Sequence, residues 1–289
     1  TYMVIESLIR PRNAEQKPWK LLFIGFFYCS IALLLSLWVF ERHADLVTVF
    51  LTVLAISPLF YFTIRYEEKK DMLMSGEKTL LREHGKAITF LMFLFIGITL
   101  AVTFWYTVLP ATYTNSLFGV QQQTISDINS QISAKATGNA IAHFGIMMKI
   151  LSNNVKVLLF TLIFALVYGI GAIFILTWNA SVIGVAMGNF IKAELGSAAQ
   201  TFGLSSVSAY LQAASFSIMR YFTHGLLEIA AYFIAGLAGG IISIAIIRGD
   251  FHTKQFEKIL VDTMDMIVIA LAILVFAAFV EVYVTPQIF

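Results

Sequence analysis

Charge is the scarcest commodity in this chain: Asp, Glu, Lys and Arg make up 12% of its 289 residues, where a soluble domain carries about a quarter. Cysteine is nearly absent. The single Cys29 excludes an internal disulfide and any cysteine-built metal centre, and it lies inside an apolar run. The net charge of +2 is too small to suggest a nucleic-acid partner. Several pieces of catalytic equipment are also missing: there is no phosphate-binding glycine loop, no nucleophile elbow, no catalytic carboxylate pair, and no second histidine to complete a zinc-protease helix motif.

What is present is apolar length. Hydrophobic residues make up 59% and the mean hydropathy is +0.83. Runs of about 20 apolar residues are long enough to cross a bilayer core. Six stand out: Leu21–Phe40, Leu46–Ile64, Ile88–Leu109, Val155–Leu176, Tyr221–Ile247 and Met266–Val284. A shorter segment, Asn179–Ile191, reads as a short crossing, a re-entrant helix or an interfacial one. The expected fold is therefore an all-α polytopic bundle, with six clear spans and a short seventh segment. The run after Lys20 reads as a signal anchor that stays in the membrane.

Basic residues set the orientation. Four Lys/Arg precede the first run, six lie between Arg65 and Lys86, and three lie between Arg248 and Lys258. The positive-inside rule places all three segments in the cytoplasm. For Arg248 to be inside as well as Trp178, the chain must return outward between them, so Asn179–Ile191 is expected to cross. The organisation expected is a cytoplasmic tail (1–20) and a three-helix part (21–109) with a basic loop (65–87). An extracytoplasmic loop or amphipathic segment (110–154) and a membrane core (155–289) follow. Ile125, Ile128 and Ile132 mark a narrow helical stripe in the third of these, expected to lie on the bilayer surface. Trp19, Trp38, Trp105 and Trp178 read as interfacial anchors.

The sharpest chemical feature is "HGLLE". Glu228 lies well inside an apolar span, whereas Glu281 lies near the end of the last one. An acid at such depth must face protein or a cavity rather than lipid. His224 is four residues earlier, on the same helix face. Lys156, Asn153 and Asn154 enter the fourth span from the same side, so contacts of Glu228 with Lys156 or His224 are expected candidates. The bland reading is an interhelical hydrogen bond that fixes packing; the sharper ones are proton or ligand handling, or a metal site with His143 as a third ligand beside His224 and Glu228. No cofactor is expected. A second constellation is small residues four apart: Gly236 with Gly240, Ala235 with Gly239, Gly184 with Gly188, with Gly169 and Gly171 crowding the fourth span. Such spacing brings helix backbones close, within one chain or between copies. Asn179 is placed at a joint between two segments, where it would cap a helix or satisfy a broken backbone.

Taken together, "NNVKVLLFTLIFALVYGIGAIFILTWNASVIG" and "HGLLEIAAYFIAGLAGG" resemble the stage II sporulation protein M family, over roughly Phe144 to Val284. The positions that carry the resemblance are Asn153 or Asn154, Gly169, Gly171, Asn179, His224, Gly225, Glu228, Gly236 and Gly239. The opening "ESLIRPRNAEQKPW" with the first two spans looks like archaeal-type members. Asn179-Ala180 stands where many members have Asn-Gly. The resemblance implies an integral protein of the cytoplasmic membrane. A bacterial member acts with cell-wall hydrolases in spore engulfment, and no catalytic residue follows from it. The function expected is a non-enzymatic scaffold or assembly factor of the envelope or of membrane remodelling. The alternatives are a transporter or lipid-handling protein with Glu228 in an outward cavity, and an intramembrane metalloenzyme. Expected partners are the lipid bilayer, other membrane proteins and a second copy of the chain.

Overall fold

The computed structural model describes residues 18–73, 77–133, 140–168, 171–202, 207–249 and 253–288. Among them all regular structure is helical. The helices are α1 (Lys20–Val39), α2 (Ala44–Leu73), α3 (Glu77–Val108), α4 (Ala111–Ser133), α5 (Ala140–Tyr168), α6 (Ala172–Phe202), α7 (Val207–Ile247) and α8 (Lys254–Phe279). A π turn, Val280–Val284, and a short α9, Thr285–Ile288, follow. Seven of these helices are long and apolar enough to cross a membrane.

Local chemistry sets the boundaries. Pro110 opens α4, its carbonyl accepting from Tyr113 and Thr114 N–H. Thr253 caps α8, its hydroxyl accepting from Phe256 N–H at 3.2 Å, which satisfies one of the orphan donors of a helix start. Gly249 follows α7 at φ 85°, the left-handed geometry that lets a helix stop. Inside α2, Pro58 removes one backbone donor, a change that membrane helices tolerate when neighbouring groups compensate.

α3 packs between α1 and α6, and α7 packs among α5, α6 and α8. Glycine permits this closeness. A Cβ on Gly25 would strike the Leu94 carbonyl, and one on Gly97 would strike the Leu22 carbonyl, so α1 and α3 meet backbone to backbone at two reciprocal points. On the other side of α3, Gly184 rests against Val102 and Gly188 against the Tyr106 ring. Gly236 rests against Ala172 and Thr161, and Gly239 against Ala165 and the Leu162 carbonyl, closing α7 onto α5 and α6. Gly240 is buried in the same stretch of α7. The small-residue spacing therefore serves packing within the chain, and the Gly25–Gly97 contact joins it without any four-residue repeat.

Two expectations change, the end of the fourth span and Asn179 as a joint. The fourth span does not continue to Leu176: α5 ends at Tyr168 and α6 begins at Ala172, with Gly171 at the turn, its carbonyl accepting from Phe174 N–H. Gly169 lies outside the described residues. The short segment Asn179–Ile191 lies within Ala172–Leu195, a stretch long and apolar enough to cross, in line with the crossing expected of it. Asn179 is no joint, because its amide donates to the Ile175 carbonyl one turn back. Within segment 110–154, Leu117, Phe118 and Gln121 form a face of α4 that is buried against the bundle. Ile125 packs on that core, while the side chains of Ile128 and Ile132 lie outside the described residues.

The basic loop 65–87 is largely helical, since α2 runs to Leu73 and α3 starts at Glu77. Two buried acids at this end link helices. Glu67 meets His84 Nδ1 at 2.9 Å, joining α2 to α3, and Glu68 meets Arg248 beyond α7. Trp105 is more than an anchor: its indole donates to Ser30 at 3.0 Å, tying α3 to α1.

The reciprocal glycine contact generates a test. Gly25→Val and Gly97→Val should each destabilise the detergent-solubilised protein by at least about 1–3 kcal/mol, the range for overpacking. Gly145→Ala, whose added Cβ meets nothing within 4 Å, should leave stability unchanged or raise it slightly. Thermal unfolding of the three variants checks both expectations.

Candidate functional site

Glu228 enters the bundle one turn into the apolar stretch of α7, Gly225–Ile247. The face it occupies is set by helix periodicity. Glu228, Tyr232, Gly236 and Gly239 recur at steps of four, four and three, the spacing of one helix stripe. The α5 stripe opposite is Asn154, Leu158, Thr161 and Ala165. Contacts between Gly236 and Thr161 and between Gly239 and Ala165 put the two stripes in register, with both helices running in the same direction. One or two turns earlier in that register, Asn154 Nδ2 donates to Glu228 Oε1.

A second acid completes the group. Glu281 brings its carboxyl to within hydrogen-bonding reach of Glu228, and Tyr232, one turn along α7 and 3% exposed, lies close to both. Glu281 is carried by the π turn Val280–Val284. The extra residue of such a turn rotates side chains relative to an unbroken helix. Two ionised carboxylates are acceptors only, so a hydrogen bond between them exists only when the pair carries a proton. The site is thus two acids, an amide and a phenol, drawn from α5, α7 and the end of α8.

The other sequence candidates fall elsewhere. Asn153 and Lys156 are exposed, on different sides of α5 from Asn154, so Lys156 is not the partner of Glu228. His143 is exposed and its ring lies against Tyr283, centroids 6.1 Å apart; it is three turns of α5 away from Asn154 and does not join Glu228. The His224 side chain lies outside the described residues. Among the described residues no group of three His, Cys, Asp or Glu is arranged to hold a metal ion. Sequence reasoning gave Glu281 too little weight because it stands near the end of its apolar run. The usable signal was that it is the other acid inside a span at the same end of the bundle. Tyr232 was legible as the residue four after Glu228.

Fold and site together define a polytopic α-helical membrane protein with an acidic pair buried between its helices. The model described as stage II sporulation protein M matches residues 86–286, and the chain belongs to that family. The match extends well before Phe144, taking in α3 and α4 as well as the helices around Glu228. The chain is also similar to the uncharacterized protein MJ0793 of the archaeon Methanocaldococcus jannaschii. That protein is 26% identical over 163 residues, which cover 55% of this chain and 82% of the relative. No solved structure matches.

Removing the amide while keeping the acid tests the pairing. Asn154→Leu leaves a buried acceptor without its donor and should cost about 1–3 kcal/mol. Asn153→Leu, one residue away and exposed, should be near neutral. Thermal unfolding of the two variants side by side gives the answer.

Proposed function

We propose that this protein is a membrane-embedded scaffold, seated in the cytoplasmic membrane with its N-terminus inside, that organises other membrane proteins of the envelope. The observation that carries this reading is the use made of its deepest acid. Glu228 is held by Asn154 across a helix interface that closes, two turns further on, at Gly236 and Gly239. Polar pairing beside small-residue contact is a device for locking membrane helices in one arrangement, and a rigid arrangement is what a platform requires. Kinship with the stage II sporulation protein M family supports an envelope role. The orientation is supported by Lys20, Arg65, Lys69 and Lys254, all exposed at the end of the bundle where Glu68 meets Arg248.

A second reading, transport of a proton or small cation, is favoured by one observation. Glu281 brings a second carboxyl to Glu228, and paired ionisable groups inside a membrane mark proton and ion pathways. It predicts flux across the bilayer, which a platform does not.

Two experiments separate the readings. Glu228→Gln keeps the hydrogen bond and removes the charge. On the scaffold reading it should retain the native melting temperature and native growth under envelope stress, while Glu228→Ala should lose both. Purified protein in liposomes should then show no pH-driven proton or sodium flux above protein-free vesicles. Flux that Glu281→Gln abolishes would replace the scaffold with a transporter.

A further inference from the structure

The other half of the bundle contains a polar track that the acidic pair does not touch. It runs along the junction of α3, α4 and α6. At one end Lys192 donates to the Leu109 carbonyl at 3.3 Å and sits over the Tyr106 ring, 4.8 Å from its centroid. The Tyr106 hydroxyl donates to Asn189 and accepts from Gln122 at 2.8 Å. One turn deeper, Thr103 donates to the Gly184 carbonyl at 3.1 Å. Deeper again, Gln121 donates to Ser181 at 3.3 Å. The α6 members Thr177, Ser181, Gly184 and Gly188 recur at helical spacing on one face, and Thr99, Thr103 and Tyr106 do the same on α3. From Lys192 to Thr177 the track covers about 22 Å of helix axis.

Its deep end is chemically incomplete. Among the described residues, Gln121 Oε1, Thr99 Oγ1 and Thr177 Oγ1 are buried and have no hydrogen-bond partner. The side chains that carry them are 1%, 0% and 2% exposed. The threonines are the telling case. Thr48, Thr52, Thr63, Thr103, Thr161 and Thr263 are equally enclosed, and each donates to the carbonyl four residues back. That bond is available to any helical threonine at no cost in packing. Thr99 and Thr177 turn away from it. Thr177 lies one turn from Ser181, the residue that Gln121 touches, and Thr99 lies one turn from Thr103 on the face that meets Gly184. The three unpaired oxygens therefore lie within about two helical turns of one another along the junction.

The geometry points to bound water at the deep end of the junction of α3, α4 and α6, held by Thr99, Gln121 and Thr177. Leaving three polar groups dry would cost several kcal/mol in sum. A bound water needs two to four polar partners, and hydroxyls with an amide oxygen supply both donors and acceptors. All these groups are uncharged, which suits water better than an ion: a cation brought here would have no counter-charge among them. The inference is independent of the scaffold reading, since it concerns other helices and other residues.

Radiolysis tests it on the native protein. Brief X-ray exposure turns bound water into hydroxyl radicals, which oxidise the side chains beside it and spare dry ones. Phe118, 1% exposed and packed on Tyr106 with centroids 5.5 Å apart, borders the track. Phe60 and Phe90, both 0% exposed, are apolar-core references of the same chemistry. Phe118 should be oxidised at least five-fold faster than either, by mass spectrometry. Equal rates would overturn the proposal. In a second arm, Gln121→Leu, or the isosteric pair Thr99→Val and Thr177→Val should that variant not fold, should bring Phe118 down to the reference rate. Oxidation persisting at the native rate would show that these oxygens hold no water and would overturn the assignment.

Discussion

In a bilayer, helices gain nothing by hiding apolar surface from one another, because the lipid they leave is as apolar as the neighbour they meet. The structure therefore depends on close approach, and close approach depends on missing side chains. At Gly25 and Gly97 the backbones of α1 and α3 touch; at Gly184 and Gly188 α6 closes on α3; at Gly236 and Gly239 α7 closes on α5 and α6. Two polar pairings of the interior lie beside these contacts. Asn154 reaches Glu228 only because the stripe below it is small enough to seat Thr161 and Ala165. Thr103 reaches the Gly184 carbonyl only because residue 184 has no Cβ.

The two halves of the molecule use this closeness differently. In the half built on α5, α7 and α8, polar side chains meet each other, and the result is an acidic pair with an amide donor. In the half built on α1 to α4 and α6, hydroxyls and amides line a path. Asp45 joins the start of α2 to this second half: one carboxylate oxygen accepts from Leu46 N–H, and the other accepts from Val120 N–H just beyond the break at Phe118. That contact caps the second part of α4, from which Gln121 reaches Ser181 of α6 and Gln122 reaches Tyr106 of α3.

The crossings were legible because hydropathy over 20 residues integrates a strong, repetitive signal. Their joints were not. Asn179 looked like an end because it is polar, yet a helix satisfies such an amide by a bond to its own preceding turn, and the break lies between Tyr168 and Ala172, with Gly171 at the turn. α4 was harder to read: its glutamines and hydroxyls look wet, yet Thr114 and Gln121 are buried against the bundle. Between Asn153 and Asn154 the sequence did hold the answer. Only Asn154 shares a stripe with Thr161 and Ala165, the small residues that face α7. Gly25 and Gly97 carried no such signal, since a glycine pair split between two helices has no sequence spacing.

The register between α5 and α7 has a geometric consequence. Asn154 lies level with Glu228, which is only one turn into the apolar stretch of α7. The first turns of α5, from Ala140, therefore run level with the part of α7 before that stretch, although α5 is itself apolar enough to cross from His143. α7 continues from Val207 to His224 without a break in the helix. Both helices carry past the level of the acidic pair, so the acids sit midway along two continuous rods and not at their ends.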